Sequence, residues 1–455
     1  MITREPGAFL LRRGALTLAL VLSSLVMPGR TAGAQRIDTA LAMTALHEAD
    51  VACHRDAGAL WGRSLCGPIA LADRQTRLVL TNDSVVKQPF LPLGGAFVTT
   101  APQGTGFANT SFEWAGRRWA MIMLPLPVDT FDRVTLVMHE VFHREQDSLG
   151  LGSMDLPNNQ LDELNGRTWL RFELQALAAA LDALASRDDA VRAHTEDALL
   201  FRARRRQLYP LADSLEPALE MQEGLAEYTG ERLAMTYTGE TPRRVARKVR
   251  EFQANPTFVR SFAYATGPAL GVLLDRFDPA WQRRVRAVRD PARMLATSIA
   301  LRQPRDLARE TDRRARRYEY ATVMREEAAR DSARRGTMAA YRARLIDGPT
   351  LTFTQPWLGR NFNPQTLVGF DIRNTVYPTG TFNSAWGKLE VTNGGALLSN
   401  DQSTLRVSAP TSPPVAGARS LRGEGWTLEL APGWQLSPVP GHAGSYVVVK
   451  TAGAP

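Results

Sequence analysis

The hydrophobic period changes three times along this chain, from helical spacing to strand alternation, back to helix, and finally to strands again, which no all-helical or all-strand architecture can accommodate. From Gln35 to about Arg63, apolar residues recur at helical spacing near Leu41, Ala45, Val51 and Leu60. The period then drops to two. Thr76 to Thr81, Gly95 to Thr100, Thr110 to Trp114 and Arg118 to Leu124 read as strands separated by Pro, Gly and Asn turns. Pro125, Pro127, Asp129 and Thr130 end this sheet and offer an N-cap to a helix over Phe131 to Leu149, which Gly150 stops. Mainly helical sequence follows, clearest at Trp169 to Ala185, Asp189 to Tyr209, Leu215 to Met235, Phe258 to Phe277 and Tyr318 to Leu345. Strands return at Thr350 to Thr354, at Lys388 to Thr392 with its Asn393-Gly394 turn, at Trp426 to Leu430 and at Ser445 to Lys450. The expected fold class is therefore α+β: a mixed helix and sheet lobe over residues 35–130, a helical lobe over 131–347 and a β-rich domain over 348–455. No internal repeat is visible.

The chain has 455 residues, 44 % of them hydrophobic and 22 % charged, which excludes disorder as its main state and leaves room for more than one core. Its formal charge of +9 is less basic than it looks, because four arginines and one glutamate lie in the first 34 residues and leave +6 on the remainder. Nearly all of the cations are arginine, since Lys87, Lys248, Lys388 and Lys450 are the only lysines. The stretch Arg302 to Arg342 is dense in both signs, which a solvated helix pair explains, so no nucleic-acid partner is expected.

Residues 1–34 have the parts of a secretory signal: a basic stretch ending at Arg12-Arg13, an apolar run from about Ala15 to Met27, and Ala32-Gly33-Ala34 ahead of Gln35. Cleavage is expected after Ala34, giving a periplasmic or secreted protein. No later segment reaches the roughly 20 uninterrupted apolar residues of a membrane helix, so no span is expected in the mature chain. In an oxidising compartment the only two cysteines, Cys53 and Cys66, can close a small loop, the alternative being two small buried thiols.

The chemistry-bearing motif is His139-Glu140-Val141-Phe142-His143 inside the expected helix. Residues four apart lie one turn apart on the same face, so both imidazoles can reach one ion. Zinc suits such a pair, and Glu140 beside it can take a proton from water acidified by the metal. A third protein ligand is needed. No further histidine follows at short spacing, so a carboxylate is expected, either in the Asp162-Glu163 pair or at Glu223 in Gln222-Glu223-Gly224-Leu225-Ala226-Glu227-Tyr228. The stripe Glu220, Glu223, Glu227 and Glu231 is also what a solvated helix face would show. His47, His54, His194 and His442 read as ordinary surface, and no phosphate loop or Gly-x-Ser-x-Gly elbow occurs.

These residues resemble the gluzincin metallopeptidases, the thermolysin and zinc-aminopeptidase branch of the zincin fold. In that group the third ligand is a glutamate on a second helix, in the aminopeptidase branch often followed by Gly, an apolar residue and Ala, which Glu223-Gly224-Leu225-Ala226 matches. Tyr264-Ala265-Thr266-Gly267 matches the Tyr-x-x-Gly context of a tyrosine that serves the transition state there. On its own residues, Tyr264 also fits an apolar core stripe with Phe262, Leu270, Leu273 and Leu274. The resemblance covers mainly Phe131 to Phe277. It implies a zincin-like catalytic domain binding one Zn2+ through His139, His143 and Glu223, with Glu140 and Tyr264 as catalytic groups and a peptide or protein as substrate. The aminopeptidases' Gly-x-Met-Glu-Asn signature has no counterpart before His139, so no preference for a free amino terminus is implied. Two other readings stand beside it: a zinc hydrolase of another amide bond, as in cell-wall material, and a binding or assembly protein with a vestigial metal site.

Overall fold

The first sheet is built around a strand that alternation does not reveal. The computed structural model describes residues 38–85, 89–154, 156–354, 357–415 and 417–451. The expected signal segment lies outside the described residues. Strands β1 (Ile69–Ala72), β2 (Leu78–Thr81), β3 (Leu91–Leu93), β4 (Ala96–Thr100), β5 (Thr110–Trp114) and β6 (Arg117–Met123) form one mixed sheet in the order β3-β4-β2-β1-β6-β5. All four residues of β1 are buried, so Ile-Ala-Leu-Ala shows no polar face. It pairs parallel with β6 and antiparallel with β2. Strand β5 is left at the edge.

Helix α1 (Thr39–Asp56) is capped by the Asp38 carboxylate and ends at Ala57 in a left-handed conformation, short of the expected Arg63. Helix α2 (Thr130–Gln146) is capped by Asp129, packs under β5 and β6, and buries nearly its whole circumference. A bidentate ion pair from Arg133 to Glu48, at 2.6 and 2.7 Å, fastens α1 to α2. The helical region continues with α3 (Leu164–Ser186), α4 (Ala190–Leu208), α5 (Ala212–Leu219), α6 (Leu225–Thr238), α7 (Pro242–Phe252), α8 (Ala263–Phe277), α9 (Gln282–Val288), α10 (Pro291–Ser298), α11 (Leu307–Ala315) and α12 (Tyr320–Arg342). The expected helix from Leu215 to Met235 is helical throughout but not uniform: a π turn, Glu220–Gly224, joins α5 to α6. Helix α12 is mostly exposed, as its mixed charge implies, except at Val323 and at Glu327, which is buried against Arg167 and Arg171, while α11 buries Thr311 and Ala315.

The closing region is a two-sheet sandwich made from β7 (Thr350–Phe353), β8 (Trp357–Asn361), β9 (Val368–Gly369), β10 (Asn374–Tyr377), β11 (Gly380–Ser384), β12 (Gly387–Val391), β13 (Ala396–Ser399), β14 (Leu405–Ser408), β15 (Ser420–Gly423), β16 (Trp426–Leu430), β17 (Trp434–Pro438) and β18 (Tyr446–Lys450). One sheet runs β17-β18-β7-β14-β13-β10-β9 and the other β15-β16-β12-β11-β8. Residues of both sheets share one core, with Phe353, Phe382, Trp386, Leu405 and Trp426 among them. The outer face of the first sheet is covered at Val376 and Leu397 by Leu345, just past α12. Asn159 docks the sandwich to the helical region, donating through Nδ2 to the carbonyls of Asp371 and Asn374 and accepting from Thr375 Oγ1. The protein is thus α+β, and no described helix is long and apolar enough to cross a membrane.

Candidate metal centre

Helix α2 places His139 and His143 one turn apart, with their Nε2 atoms 3.0 Å from each other. Glu223 approaches from the π turn, its Oε2 lying 3.6 Å from Nε2 of His139 and 3.4 Å from Nε2 of His143. A π turn inserts extra backbone into a helix and redirects the residues on it; here that residue is Glu223. Close backbone approach makes the convergence possible. A Cβ on Gly230 of α6 would lie 2.4 Å from the Thr135 carbonyl oxygen of α2, and one on Gly267 of α8 would lie 2.3 Å from the Cα of Gly224.

The partners of the two histidines determine their tautomers. His139 Nδ1 lies 2.8 Å from Glu227 Oε2, an acceptor, so it carries the hydrogen. His143 Nδ1 lies 2.8 Å from Gln146 Oε1. That amide is oriented by its own nitrogen, which donates to the carbonyls of Met221 and Gln222 at 2.9 and 3.0 Å. With Nδ1 carrying the hydrogen, each imidazole in its neutral form presents a lone pair on Nε2, and a carboxylate oxygen faces them. Three such acceptors this close repel one another unless a proton or a metal cation lies among them. Donors bound tetrahedrally to one zinc ion stand about 3.3–3.5 Å apart, given bond lengths of about 2.0–2.2 Å. The three observed separations bracket that value, so the donor set fits such an ion, with outer partners arranged as metal-bound histidines require.

Glu140 lies beside this cluster and is only 5 % exposed; its Oε2 takes no hydrogen bond from the described residues. Tyr264 stacks its ring on His139, with centroids 5.5 Å apart, and donates its hydroxyl to Glu223 Oε2 at 2.6 Å. All five residues line a cleft of about 380 Å³ that Thr110 and Ser111 of edge strand β5 also line.

Burial disfavours a charged His139, yet hydrogen bonds to Glu223 and Glu227 outweigh it and lift the imidazole to about 10. Burial likewise pushes Glu223 up, but its hydrogen bonds to His139 and His143 win and hold it well below the usual carboxylate range. Glu227 is pulled down to about 2 against burial, by the charge of Lys248 and the bond to His139. Glu140 moves the other way, raised by burial that the neighbouring imidazoles only partly offset. Burial and the Glu223 charge raise the Tyr264 phenol.

Of the two acidic candidates, the structure brings Glu223 to the histidines and keeps the Asp162-Glu163 pair away from them. Asp162 is buried against Thr257 and Arg330, and Glu163 bonds Tyr209. The glutamate stripe is not a solvated face: Glu220 and Glu231 are 0 % and 1 % exposed, and Glu227 supports His139. Tyr264 lines the cleft, although its helix otherwise buries mainly apolar residues. His47, His54 and His442 are exposed, while His194 bonds Tyr318. Sequence reasoning missed Glu227, Gln146 and Lys248. Glu227 follows Glu223 by four positions, a spacing that signals a shared face, but Gln146 and Lys248 carry no such mark. No protein-family model, curated protein or solved structure matches this chain.

Proposed function

We propose that this protein is an exported zinc metallopeptidase with a zincin-like, gluzincin-type catalytic region, in which His139, His143 and Glu223 hold the metal. The observation that carries the reading is the convergence of two Nε2 atoms and one carboxylate oxygen beside the buried Glu140, one of whose oxygens takes no hydrogen bond among the described residues. A zinc ion bound there would supply Lewis-acid chemistry, acidifying water and polarising a carbonyl.

The chain's own groups divide the remaining work. Glu140 accepts the proton of the attacking water as its oxygen adds to the peptide carbonyl carbon, then delivers it to the amine as the carbon–nitrogen bond breaks. Burial raises its proton affinity, which suits a group that holds a proton between two steps. The Tyr264 hydroxyl, which donates to Glu223 Oε2 in the cleft, supplies a neutral phenol that can donate a hydrogen bond to the oxyanion forming on the former carbonyl. Glu227 and Gln146 hold the imidazoles in one tautomer. The free edge of β5, at Thr110 and Ser111, offers backbone pairing to an extended peptide. The disulfide between Cys53 and Cys66 accords with an oxidising compartment.

The direct test is metal content and hydrolysis. The purified chain is expected to bind about one zinc. Glu140→Gln is expected to retain it while hydrolysis of a peptide panel falls by roughly 10²–10⁴-fold. Hydrolysis of muropeptides but not of the peptide panel would move the reading to cell-wall amides, and a Gln variant as active as the parent would refute the mechanism.

A further inference from the structure

The π turn that presents Glu223 begins with a second glutamate that does not face the cleft. Glu220 is 0 % exposed and both of its oxygens are engaged: Oε1 accepts from Arg202 Nη2 and from Thr266 Oγ1, each at 2.6 Å, and Oε2 accepts from Arg202 Nη1 at 2.7 Å. Arg202 continues through Nε to Glu173 at 2.8 Å. The other oxygen of Glu173 accepts from Arg205 at 2.6 Å, and Arg205 forks onto both oxygens of Glu216 at 2.6 and 2.9 Å. These five charged side chains come from α3, α4, α5 and the π turn, and none is more than 2 % exposed.

Stability alone does not call for such a chain, because desolvating five charges is costly and apolar packing of the same volume often serves as well or better. Geometry does call for it. Glu216 and Glu220 lie one turn apart at the entrance to the π turn, and both are bound to α4. Thr266 fastens the same Glu220 to α8, one residue before Gly267 meets Gly224. The turn is therefore clamped at its start from two directions, three residues ahead of Glu223. We propose that this buried network acts through Glu220 as a positioning device, holding the π turn in the register that aims Glu223 Oε2 at the two histidines. The inference rests on the reading of His139, His143 and Glu223 as metal ligands.

Zinc affinity, measured on full-length variants by competition with a chromophoric chelator, tests it without reference to catalysis. Glu220→Gln and Thr266→Val are expected to weaken zinc binding by roughly 10–100-fold, the range typical of outer partners of metal ligands, while Thr266→Ser restores the parental value. Thr266→Val keeps volume and charge and removes one hydroxyl, so it remains informative if the Gln variant does not fold. Leu428→Val, in the core of the sandwich, is a control that lowers the melting temperature far from the site and is expected to leave zinc affinity unchanged. Folded Glu220→Gln or Thr266→Val protein that binds zinc like the parent overturns the inference, as does an equal loss in Leu428→Val. A parent that binds no zinc overturns the metal reading itself and this inference with it, whereas zinc-binding variants with parental affinity overturn the positioning role alone.

Discussion

Gly267 of α8 and Gly224 of the π turn meet backbone to backbone: a Cβ on Gly267 would lie 2.3 Å from the Cα of Gly224 and 2.5 Å from its carbonyl oxygen. The reverse contact is looser, since a Cβ on Gly224 would stand 3.1 Å from the Cα of Gly267. Gly267→Ala is therefore expected to destabilise by about 1–3 kcal/mol, and Gly224→Ala by less. Gly336, exposed within α12, has no atom within 4 Å of where a methyl group would stand, so alanine there is expected to stabilise by about 0.5–1 kcal/mol. Chemical denaturation of the three variants checks the order, and a neutral Gly267→Ala would contradict it.

Glu227 and Glu163 should separate cleanly on metal affinity. Glu227→Gln removes the carboxylate that fixes the His139 tautomer and is expected to weaken zinc binding by roughly 10–100-fold. Glu163→Gln, altered where that residue bonds Tyr209, is expected to leave it unchanged. Chelator competition measures both, and equal effects would reopen the choice of third ligand.

Protons and metal compete for the same lone pairs. His139 is lifted from 6.5 to about 10 in the metal-free fold, so its contribution to stability is fully present below about pH 6.5 and is lost as pH rises through about 10. Glu227, held down at about 2, contributes above its unfolded value of 4.5 and loses that contribution as pH falls toward 2. Metal-free protein is thus expected to lose melting temperature between pH 6.5 and 10 through His139. Zinc affinity is expected to rise over the same window, because the proton it must displace is leaving. Melting curves with chelator or with zinc across that range test the sign, and a metal-free protein that gains stability there through His139 would contradict it.

The disulfide between Cys53 and Cys66 closes a loop that carries Trp61 into the back of the site. Trp61 donates to Thr229 of α6 at 3.0 Å, and its ring packs on Phe142 of α2 and on Trp281. Cys53→Ala together with Cys66→Ala is expected to lower stability by about 2–3 kcal/mol and to increase the exposure of Trp61, read as a shift in tryptophan fluorescence. An unchanged melting temperature in the double variant would show that the loop is held by packing alone.

What the sequence made legible was whatever its local spacing encodes. His139 and His143 are one helical turn apart, so their shared face could be read directly, and Asp129 declared the start of their helix. Glu223 lies 80 positions beyond His143 and could be chosen over Glu163 only through a short local pattern, because no periodicity says which distant helix will return to the site. The π turn was illegible: Leu215 to Met235 keeps a helical period throughout, and the bulge depends on contacts with α4 and α8. Strand β1 was hidden for the opposite reason, since burial on both faces removes the alternation that marks a strand. In the sandwich, Thr350 to Thr354, Lys388 to Thr392, Trp426 to Leu430 and Ser445 to Lys450 were legible as strands, whereas the others, two to five residues long between turns, gave too short a signal.

Asn159 and Asp162 are 3 % and 2 % exposed where the helices meet the sandwich. Asn159 spends its amide on Asp371, Asn374 and Thr375, and Asp162 accepts from the Gly369 backbone. The change in composition near Gly348 is therefore not a place where the chain can be severed. Truncation there strips three partners from the buried Asn159 amide and one from the buried Asp162 carboxylate, and the wound opens only a few residues before α3, whose Glu173 belongs to the chain of charges behind Glu223. A shortened chain would have to be engineered at that seam first, by replacing both polar side chains, before its behaviour could say anything about what the sandwich is for.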